Sequence, residues 1–437
     1  MSIAAISGLI VGVVLIVLLL AGVPISISIG ISSILAILPI MDFNAAVLTG
    51  AQRLFSGISV FTLIAIPFFI LAGNIMNKGG IATRLINFAL LLTGRVPGAL
   101  AHTNAVANMM FGAISGSGVA SASAMGSIIG PIEEEEGYDV EYSATANIAT
   151  APTGLLIPPS NVLITYSLVS GGTSVAALFM GGYIPGILWG LACMVVAFFI
   201  ARKKGYRSNR RVKAKDAVKI VMDAIPSLLL IVIVIGGIIA GIFTATEGSV
   251  VAVVYSLILS FCYRTIKIKD LYKIFKDSAE TTGIIVFLIG VSSIMAWILA
   301  FTGIPAAISN ALLGISNNKI VILLIINVIL LVVGTFMDIT PAILIFTPIF
   351  LPVVTSDLIG MTAIQFGIML VFNLCIGTIT PPVGNTLFVG CRVAKTKIEG
   401  VIKNILPFYV SIFVVLMLVT FIPAISLFLP RIMGMLE

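Results

Sequence analysis

Two copies of the motif Gly-x-x-x-Pro-Pro interrupt long apolar stretches of this chain, and they lie 223 residues apart. The first runs from Gly154 to Pro159 and the second from Gly377 to Pro382. Proline removes a backbone N–H and clashes with the preceding helical turn, so neither stretch can continue as a regular helix. In lipid, such a break is tolerated only where protein or a watery cavity satisfies the freed backbone groups. The matched breaks therefore predict a transport-type binding site near the middle of a membrane.

The composition supports a membrane location. Hydrophobic residues make up 59% of the 437 positions and charged residues only 9%, whereas soluble domains carry about 25% charged residues. Apolar runs of about 20 residues recur from end to end, and each is long enough to cross a bilayer. We therefore predict an all-α polytopic membrane protein.

The apolar runs divide into two sets of five predicted spans, one in each half of the chain. The spans of the first half are 3–21, 25–40, 60–76, 141–169 (broken at 154–159) and 173–201. The spans of the second half are 222–242, 246–263, 283–299, 363–391 (broken at 377–382) and 404–429. The segments 43–57 and 78–96 are too polar or too short to span, and they are predicted to lie flat at the membrane surface.

Two further apolar segments have polar centres, which is the pattern of a re-entrant hairpin whose tip stops inside the membrane. The segment 98–130 is centred on Ser115-Gly-Ser-Gly, and the segment 320–355 is centred on Asp338-Ile-Thr-Pro. If both are hairpins, each half crosses the membrane an odd number of times. The two halves then have opposite orientations, as an inverted repeat. The predicted domains are a first repeat at 1–201, a basic linker at 202–221 and an inverted second repeat at 222–437.

The basic residues fix the predicted orientation, because cytoplasmic loops collect Lys and Arg. Of the 24 basic residues, 21 lie in four segments that this topology places on one side: 77–98, 202–221, 264–282 and 392–403. The other side keeps Arg53, Lys319 and Arg431. Both termini are therefore predicted to be periplasmic. The net charge of +7 is explained by these loops, so no nucleic-acid partner is expected.

The breaks and the hairpin tips together predict cation sites. An unwound stretch frees carbonyl oxygens that a helix would have used, and these oxygens, like hydroxyls, suit a hard and weakly held ion such as sodium. One site is predicted in each half. The first set of candidate ligands is Ser115, Ser117, Gly154, Ile157 and Pro159; the second is Asp338, Thr340, Gly377, Thr380 and Pro382.

An anionic substrate is predicted between these two sites, because half-helix N-termini that point inward favour negative charge. The candidate substrate ligands are Ser121, Ser123, Asn147, Thr150, Thr153, Asn385 and Thr386. The alternative for each of them is a packing role, since Ser and Thr commonly bond across membrane helices.

The sequence contains no Gly-x-x-x-x-Gly-Lys-Ser/Thr loop and no catalytic constellation, so neither ATP use nor an enzymatic activity is predicted. The alternative to sodium coupling is a proton-coupled carrier or antiporter on the same fold. That alternative needs a titrating group in the membrane, and the candidates are Asp338, Glu247 and His102. A channel-like or purely structural subunit is a third possibility, but it gives no reason for matched breaks.

Several motifs resemble a known family, the large membrane subunit of tripartite ATP-independent periplasmic (TRAP) transporters. The resemblance covers essentially the whole chain and is carried by Ile66–Asn74, Ser115–Ala120, Gly154–Ser160, Asp338–Pro341 and Gly377–Gly384. It implies an ion-transporter-superfamily fold that works as an elevator, with two sodium sites at the hairpin tips and breaks. The stretch 161–172 resembles the sialic-acid and sugar-acid branch.

The resemblance also implies a setting and partners. The chain is expected in the bacterial inner membrane, where it imports an organic acid such as sialic acid or a C4-dicarboxylate. A soluble periplasmic substrate-binding protein is expected to deliver this organic anion. A small four-helix membrane subunit is expected as a scaffold partner within the lipid bilayer.

Overall fold

The computed structural model describes residues 3–94, 96–206 and 214–436. Its regular elements are helical throughout these ranges. The first half contains eleven α-helices, with one 3₁₀ turn at Phe61–Ile64 before α4. They are α1 (Ile3–Leu20), α2 (Ile25–Ile37), α3 (Phe43–Ile58), α4 (Ala65–Lys78), α5 (Ile81–Thr93), α6 (Ala99–Ser115), α7 (Gly118–Glu135), α8 (Val140–Thr150), α9 (Thr153–Leu156), α10 (Asn161–Val169) and α11 (Val175–Lys204).

The second half contains ten α-helices within the described residues. They are α12 (Ala214–Ile239), α13 (Ala245–Cys262), α14 (Ile268–Thr302), α15 (Ile304–Ile315), α16 (Lys319–Phe336), α17 (Ile339–Val354), α18 (Ala363–Thr378), α19 (Asn385–Val393), α20 (Ile398–Phe421) and α21 (Pro423–Ile432). Across the described ranges, seven helical segments are long and apolar enough to cross a membrane. The predicted fold class, an all-α polytopic membrane protein, is confirmed.

Both polar-centred segments form helical hairpins with short turns. In the first, α6 ends at Ser115 and α7 begins at Gly118; in the second, α16 ends at Phe336 and α17 begins at Ile339. The first hairpin is longer than predicted, because α7 continues past residue 130 to Glu135. We refer to α6–α7 as hairpin 1 and to α16–α17 as hairpin 2.

Both proline motifs interrupt their helices where the sequence places the breaks. In the first half, α9 ends at Leu156 and α10 begins at Asn161; in the second, α18 ends at Thr378 and α19 begins at Asn385. The Pro-Pro peptide bond is cis in both breaks. The two halves therefore share the same local construction at the same sequence offset.

Two predicted segments differ in detail from the structure. The predicted span 404–429 is interrupted at Ile422, where Pro423 starts the separate helix α21; proline is favoured in a first helical turn, which does not use its missing N–H. Most of the predicted loop 264–282 is instead the first part of α14, which has 35 residues. At 1.5 Å per residue this helix is about 52 Å long, well beyond a hydrocarbon core of about 30 Å. Arg95 and residues 207–213 of the predicted linker lie outside the described residues.

The helices pack as two groups. In one group, α13 packs against α4, α14 packs against α2 and α3, and α1 packs against α2. In the other, the two hairpins pack against the broken helices, and the broken helices pack against α11 and α20. The groups meet where α4 contacts α6 and α10, and where α14 contacts α17. This arrangement places both hairpin tips and both breaks in the second group.

Candidate functional site

Each hairpin touches its broken helix through a pair of glycines. A Cβ atom on Gly154 would lie 2.1 Å from the Cα of Gly112, and one on Gly377 would lie 2.2 Å from the carbonyl carbon of Gly334. Carbon atoms in ordinary contact are about 3.5–4.0 Å apart, so no other residue fits either position without displacing backbone. The first arm of each hairpin is therefore held directly against the start of the Gly-x-x-x-Pro-Pro motif.

The spacing of that motif leaves particular carbonyl groups without their helical donors. In an α-helix, the carbonyl of residue i accepts from the N–H of residue i+4. For Gly154 and Gly377 that residue is a proline, and the same holds for the next carbonyl in each motif. The Leu155 carbonyl instead accepts from the Ser160 hydroxyl, and the Gly377 carbonyl accepts from the N–H of Thr380 at 3.0 Å. The carbonyls of Gly154 and Thr378, and the second lone pair of the Gly377 oxygen, are suited to a cation that needs main-chain ligands.

The tip of hairpin 1 is a tight turn with two hydroxyl groups. The Ser115 hydroxyl donates to the carbonyl of Ser117 at 3.4 Å, and the Ser117 hydroxyl caps α7 by accepting from the N–H of Ala120 at 3.2 Å. Gly116 has a φ of 61°, a left-handed conformation that favours glycine. A Cβ on Gly116 would lie 2.8 Å from the side-chain nitrogen of Asn161. The tip therefore sits against the start of α10, just after the first break.

The tip of hairpin 2 carries a carboxylate. Asp338 is exposed and occupies the N-cap position of α17, but its side chain makes no capping hydrogen bond. Thr340 follows in the first turn and is half-buried. The second break is joined to this hairpin, because the N–H of Val383 donates to the carbonyl of Thr335 at 3.2 Å. The carboxylate, a hydroxyl and the second break therefore lie close together.

Both tips open into one cavity of about 320 Å³, which we call the central cavity. A Cβ on Gly118 in hairpin 1 would lie 3.3 Å from the hydroxyl of Thr386 in the second broken helix, so the two halves meet here. Among the described residues that line it, Asp338 is the one with a charged side chain. Six of the residues singled out from the sequence line the central cavity: Ser115, Ser117, Asp338, Thr340, Asn385 and Thr386.

The predicted carbonyl ligands differ between the halves in their exposure. Gly154, Ile157 and Pro159 are buried behind hairpin 1. Gly377 is also buried, but Thr380 is half-buried and Pro382 is exposed. A second, more open cavity of about 610 Å³ reaches this break and is lined by residues that include Ser117, Asp338, Pro382 and Asn385. The second break is therefore the more accessible of the two from solvent.

Most of the remaining candidate substrate ligands join hairpin 1 to its broken helix. The Asn108 side-chain amide donates to Asn147 Oδ1 at 3.0 Å and to Thr150 Oγ1 at 2.9 Å, and its Oδ1 accepts from Ser121 at 2.6 Å. Thr153 donates to the carbonyl of Thr150 at 2.7 Å. None of these residues lines the central cavity, and neither does the half-buried Ser123. Asn108, the centre of this network, was not among the sequence candidates.

A similar amide pair holds the second half together. The Asn373 side-chain amide donates to Asn327 Oδ1 at 2.8 Å, which joins α18 to the first arm of hairpin 2. Thr420 on α20 donates to the same oxygen at 3.4 Å. Both halves therefore combine a glycine contact with a buried amide contact, and this fixes each hairpin against its broken helix.

Several polar residues of the central cavity were not singled out from the sequence: Asn74, Asn77, Asn161, Thr281 and Thr378. Asn74 donates to the Ser278 hydroxyl at 2.8 Å, and Asn161 Oδ1 has no hydrogen-bond partner within the described part of the chain. Asn161 directly follows Pro159-Ser160, so its position after the break was the available signal. Asn77 on α4 and Thr281 on α14 belong to the helix group without hairpins or breaks. The sequence motifs of the breaks and tips therefore gave no signal for them.

The other two ionisable candidates lie away from the central cavity. Glu247 forms a capping box at the start of α13, where its carboxylate accepts from the N–H of Thr244 at 2.8 Å. The His102 ring is hydrogen-bonded to the carbonyl of Pro97 at 3.1 Å. The contacts of Glu247 and of His102 are both formed with residues at the start of their own helix. Of the three ionisable candidates, Asp338 is therefore the one that lines the central cavity.

The chain resembles a known fold and known sequences over most of its length. A crystal structure of the YdaH transporter of Alcanivorax borkumensis superposes with a TM-score of 0.65 and 13% sequence identity, over 90% of this chain and 89% of that one. This identity supports a shared fold and nothing further.

Three curated relatives show higher identity. YgiK of Salmonella typhimurium, an uncharacterised protein, is 53% identical over 95% of both chains. The isethionate TRAP transporter permease DctMQ of Oleidesulfovibrio alaskensis is 40% identical over 94% of this chain and 64% of its own length. The sialic acid TRAP transporter large permease SiaM of Vibrio cholerae is 36% identical over 95% of this chain and 96% of its own.

A family model described as "Tripartite ATP-independent periplasmic transporter, DctM component" matches residues 12–425. These residues include both hairpins, both breaks and the central cavity described above. The chain is therefore a member of the DctM family, the large membrane permeases of TRAP transporters.

Proposed function

We propose that this permease imports an organic anion across the bacterial inner membrane in symport with sodium. Two sodium ions would bind where the hairpin tips meet the broken helices. The first site would use the hydroxyls of Ser115 and Ser117 with main-chain oxygens of Gly154, Ile157 and Pro159. The second would use Asp338 and Thr340 with main-chain oxygens of Gly377, Thr380 and Pro382.

The observation that carries the proposal is the charge of the central cavity. The described residues that line it supply one carboxylate, no basic side chain and several neutral polar groups. An organic anion in this cavity therefore needs another source of positive potential. The N-termini of α7, α17 and α19 begin at the cavity and supply part of it. Bound sodium ions would supply the rest, so the affinities for sodium and for substrate should rise together.

The packing of the helices supports an elevator movement. Hairpins, broken helices, α11 and α20 would move as one unit against the group that contains α1 to α4 and α12 to α14. The group that contains α1 to α4 and α12 to α14 also exposes wide apolar faces, with Leu20 at 84% and Val232 at 64% exposed. Those faces would pack against the small membrane subunit and lipid, while a periplasmic substrate-binding protein would deliver the anion.

The substrate is proposed as an organic acid of the sialic acid or C4-dicarboxylate type. Relatives of similar identity are named for sialic acid and for isethionate, so identity alone does not choose among anions. What these substrates share is a compact anionic group with neighbouring polar atoms. The Asn, Ser and Thr side chains of the cavity would bind that combination by hydrogen bonds.

Uptake into proteoliposomes tests the proposal. The permease would be reconstituted with the small subunit and binding protein of its own transporter, and a panel of radiolabelled organic acids would be supplied. We expect uptake only with an inward sodium gradient. Uptake that persists without sodium and follows a proton gradient would replace this proposal with proton coupling, for which Asp338 is the cavity's ionisable candidate.

A further inference from the structure

A second polar cluster lies at the foot of hairpin 1, at the opposite end from its tip. Glu133 in the last turn of α7 is 1% exposed, and its Oε1 accepts from the side-chain amide of Asn104 on α6 at 3.1 Å. Ser143 on α8 lies beside the same carboxyl group. Three helices thus each contribute one side chain to the cluster.

One buried oxygen atom of this cluster has no partner among the described residues. Asn104 Oδ1 accepts no hydrogen bond from any of them, although Asn104 is 1% exposed. Buried polar atoms are almost always satisfied, so such an atom indicates a missing ligand or ordered water. The Ser143 hydroxyl, on a residue that is 7% exposed, lies beside the Glu133 carboxyl group and adds a second oxygen at this position.

The charge of Glu133 is also uncompensated within the described residues. Lys204, at the nearby end of α11, pairs instead with Asp139 at 3.0 Å. Lys395 lines the neighbouring cavity but is exposed and forms no ion pair with Glu133 among the described residues. Glu136 adds further negative potential close to Glu133. A buried carboxylate without a counter-charge is strongly unfavourable, so this position favours a bound positive charge.

A cavity of about 300 Å³ connects the cluster to its surroundings. Its lining includes Glu133, Ser143 and Asn147, together with the exposed Glu134. A cavity of this size holds water molecules that can complete the coordination of a bound ion. None of the three cluster residues lines the central cavity between the hairpin tips.

We propose that Glu133, Asn104 and Ser143 bind a monovalent alkali cation, sodium or potassium, and that this ion stabilises the foot of hairpin 1. All the available ligands are oxygens, which hard cations prefer. The single carboxylate balances one positive charge. No group of three or more His, Cys, Asp or Glu side chains suited to a metal occurs among the described residues, which argues against a divalent or transition-metal site. The ion would tie both arms of the hairpin to α8 while leaving the tip free.

Thallium(I), which mimics alkali cations and scatters anomalously, tests the proposal. Crystals of the full-length permease would be soaked in a thallium salt in place of sodium and potassium. We expect an anomalous peak between Glu133, Asn104 and Ser143 in the unmodified protein. The matched control is Glu134→Gln, which removes the charge of a different glutamate that lines the same cavity, and it should show the same peak. The peak should be absent in Glu133→Gln and weaker in Ser143→Ala, which keeps the carboxylate.

An unmodified protein without a peak at this foot would overturn the proposal and leave Glu133 protonated instead. A peak that survives in Glu133→Gln would also overturn it. Anomalous peaks at the hairpin tips are evaluated separately from the peak at the foot. The result can therefore refute the cation site at the foot without refuting the proposed sodium sites, or refute the sodium sites without refuting the site at the foot. Thermal unfolding gives a second measurement: replacing choline with potassium should raise the Tm of the unmodified protein and of Glu134→Gln, but not that of Glu133→Gln.

Discussion

Alanine in place of Gly154 or Gly377 perturbs the contact that brings each hairpin to its broken helix. The new Cβ would lie 2.1 Å from the backbone of Gly112 in one case and 2.2 Å from that of Gly334 in the other. Since carbon atoms in contact stay about 3.5 Å apart, hairpin and broken helix must separate by roughly 1.3 Å. The obstacle is backbone rather than the end of a flexible side chain, so it cannot be relieved by a rotamer change.

The size of the effect follows from this overpacking. Extra methyl groups forced into a packed interior cost about 1–3 kcal/mol. If the sodium-bound arrangement needs the close contact, that loss reduces sodium affinity by about 5- to 150-fold. Because the two halves share this construction, Gly154→Ala and Gly377→Ala should both raise the sodium concentration needed for half-maximal uptake.

The assay is uptake into proteoliposomes over a range of sodium concentrations, with Gly283→Ala as the matched control. A Cβ on Gly283, in α14, would meet no atom within 4 Å. The control should therefore keep the sodium dependence of the unmodified protein. A normal sodium dependence in both Gly154→Ala and Gly377→Ala, at normal protein levels, would refute the role assigned to these contacts.

Three further predictions use the same purified protein. Asp338→Asn should weaken the sodium dependence of uptake by about tenfold, because it removes the one charge that lines the central cavity; an unchanged sodium response would exclude the residue as a ligand. Asn108→Ala should lower stability by roughly 1–3 kcal/mol, since it leaves buried groups of Asn147 and Ser121 unpaired; a Tm equal to that of the unmodified protein would contradict this. Thr244→Ala should cost about 1 kcal/mol through loss of the cap on α13 and leave uptake unchanged; altered ion selectivity would give this turn a functional role.

The architecture was predictable where local chemistry forces it. A glycine followed by two adjacent prolines loses two neighbouring backbone donors, so the breaks at 154–159 and 377–382 follow from the residues themselves. Polar groups between apolar arms likewise required a hairpin turn at Ser115–Ser117 and at Asp338. The interruption at Ile422 was missed, although Pro423 carries the same signal, because the flanking residues are apolar enough to read as one span.

The composition of the site was less predictable, since a sequence does not say which polar side chains face each other. Thr150 and Thr386 have the same side chain, yet the first bonds to Asn108 between helices and the second lines the central cavity. Hydroxyl and amide groups serve packing and binding equally well in membrane helices. The glycine contacts were also invisible, because Gly112 and Gly334 lie in other segments than the motifs they touch.

A high-resolution structure of the transporter in sodium, with substrate bound, tests the central claim most directly. The account predicts one ion at each hairpin tip, coordinated by main-chain oxygens of the adjacent break and by side chains of Ser115 and Asp338. Both ions should disappear when choline replaces sodium. Tips and breaks that carry no ion in saturating sodium, while substrate occupies the central cavity, would contradict it.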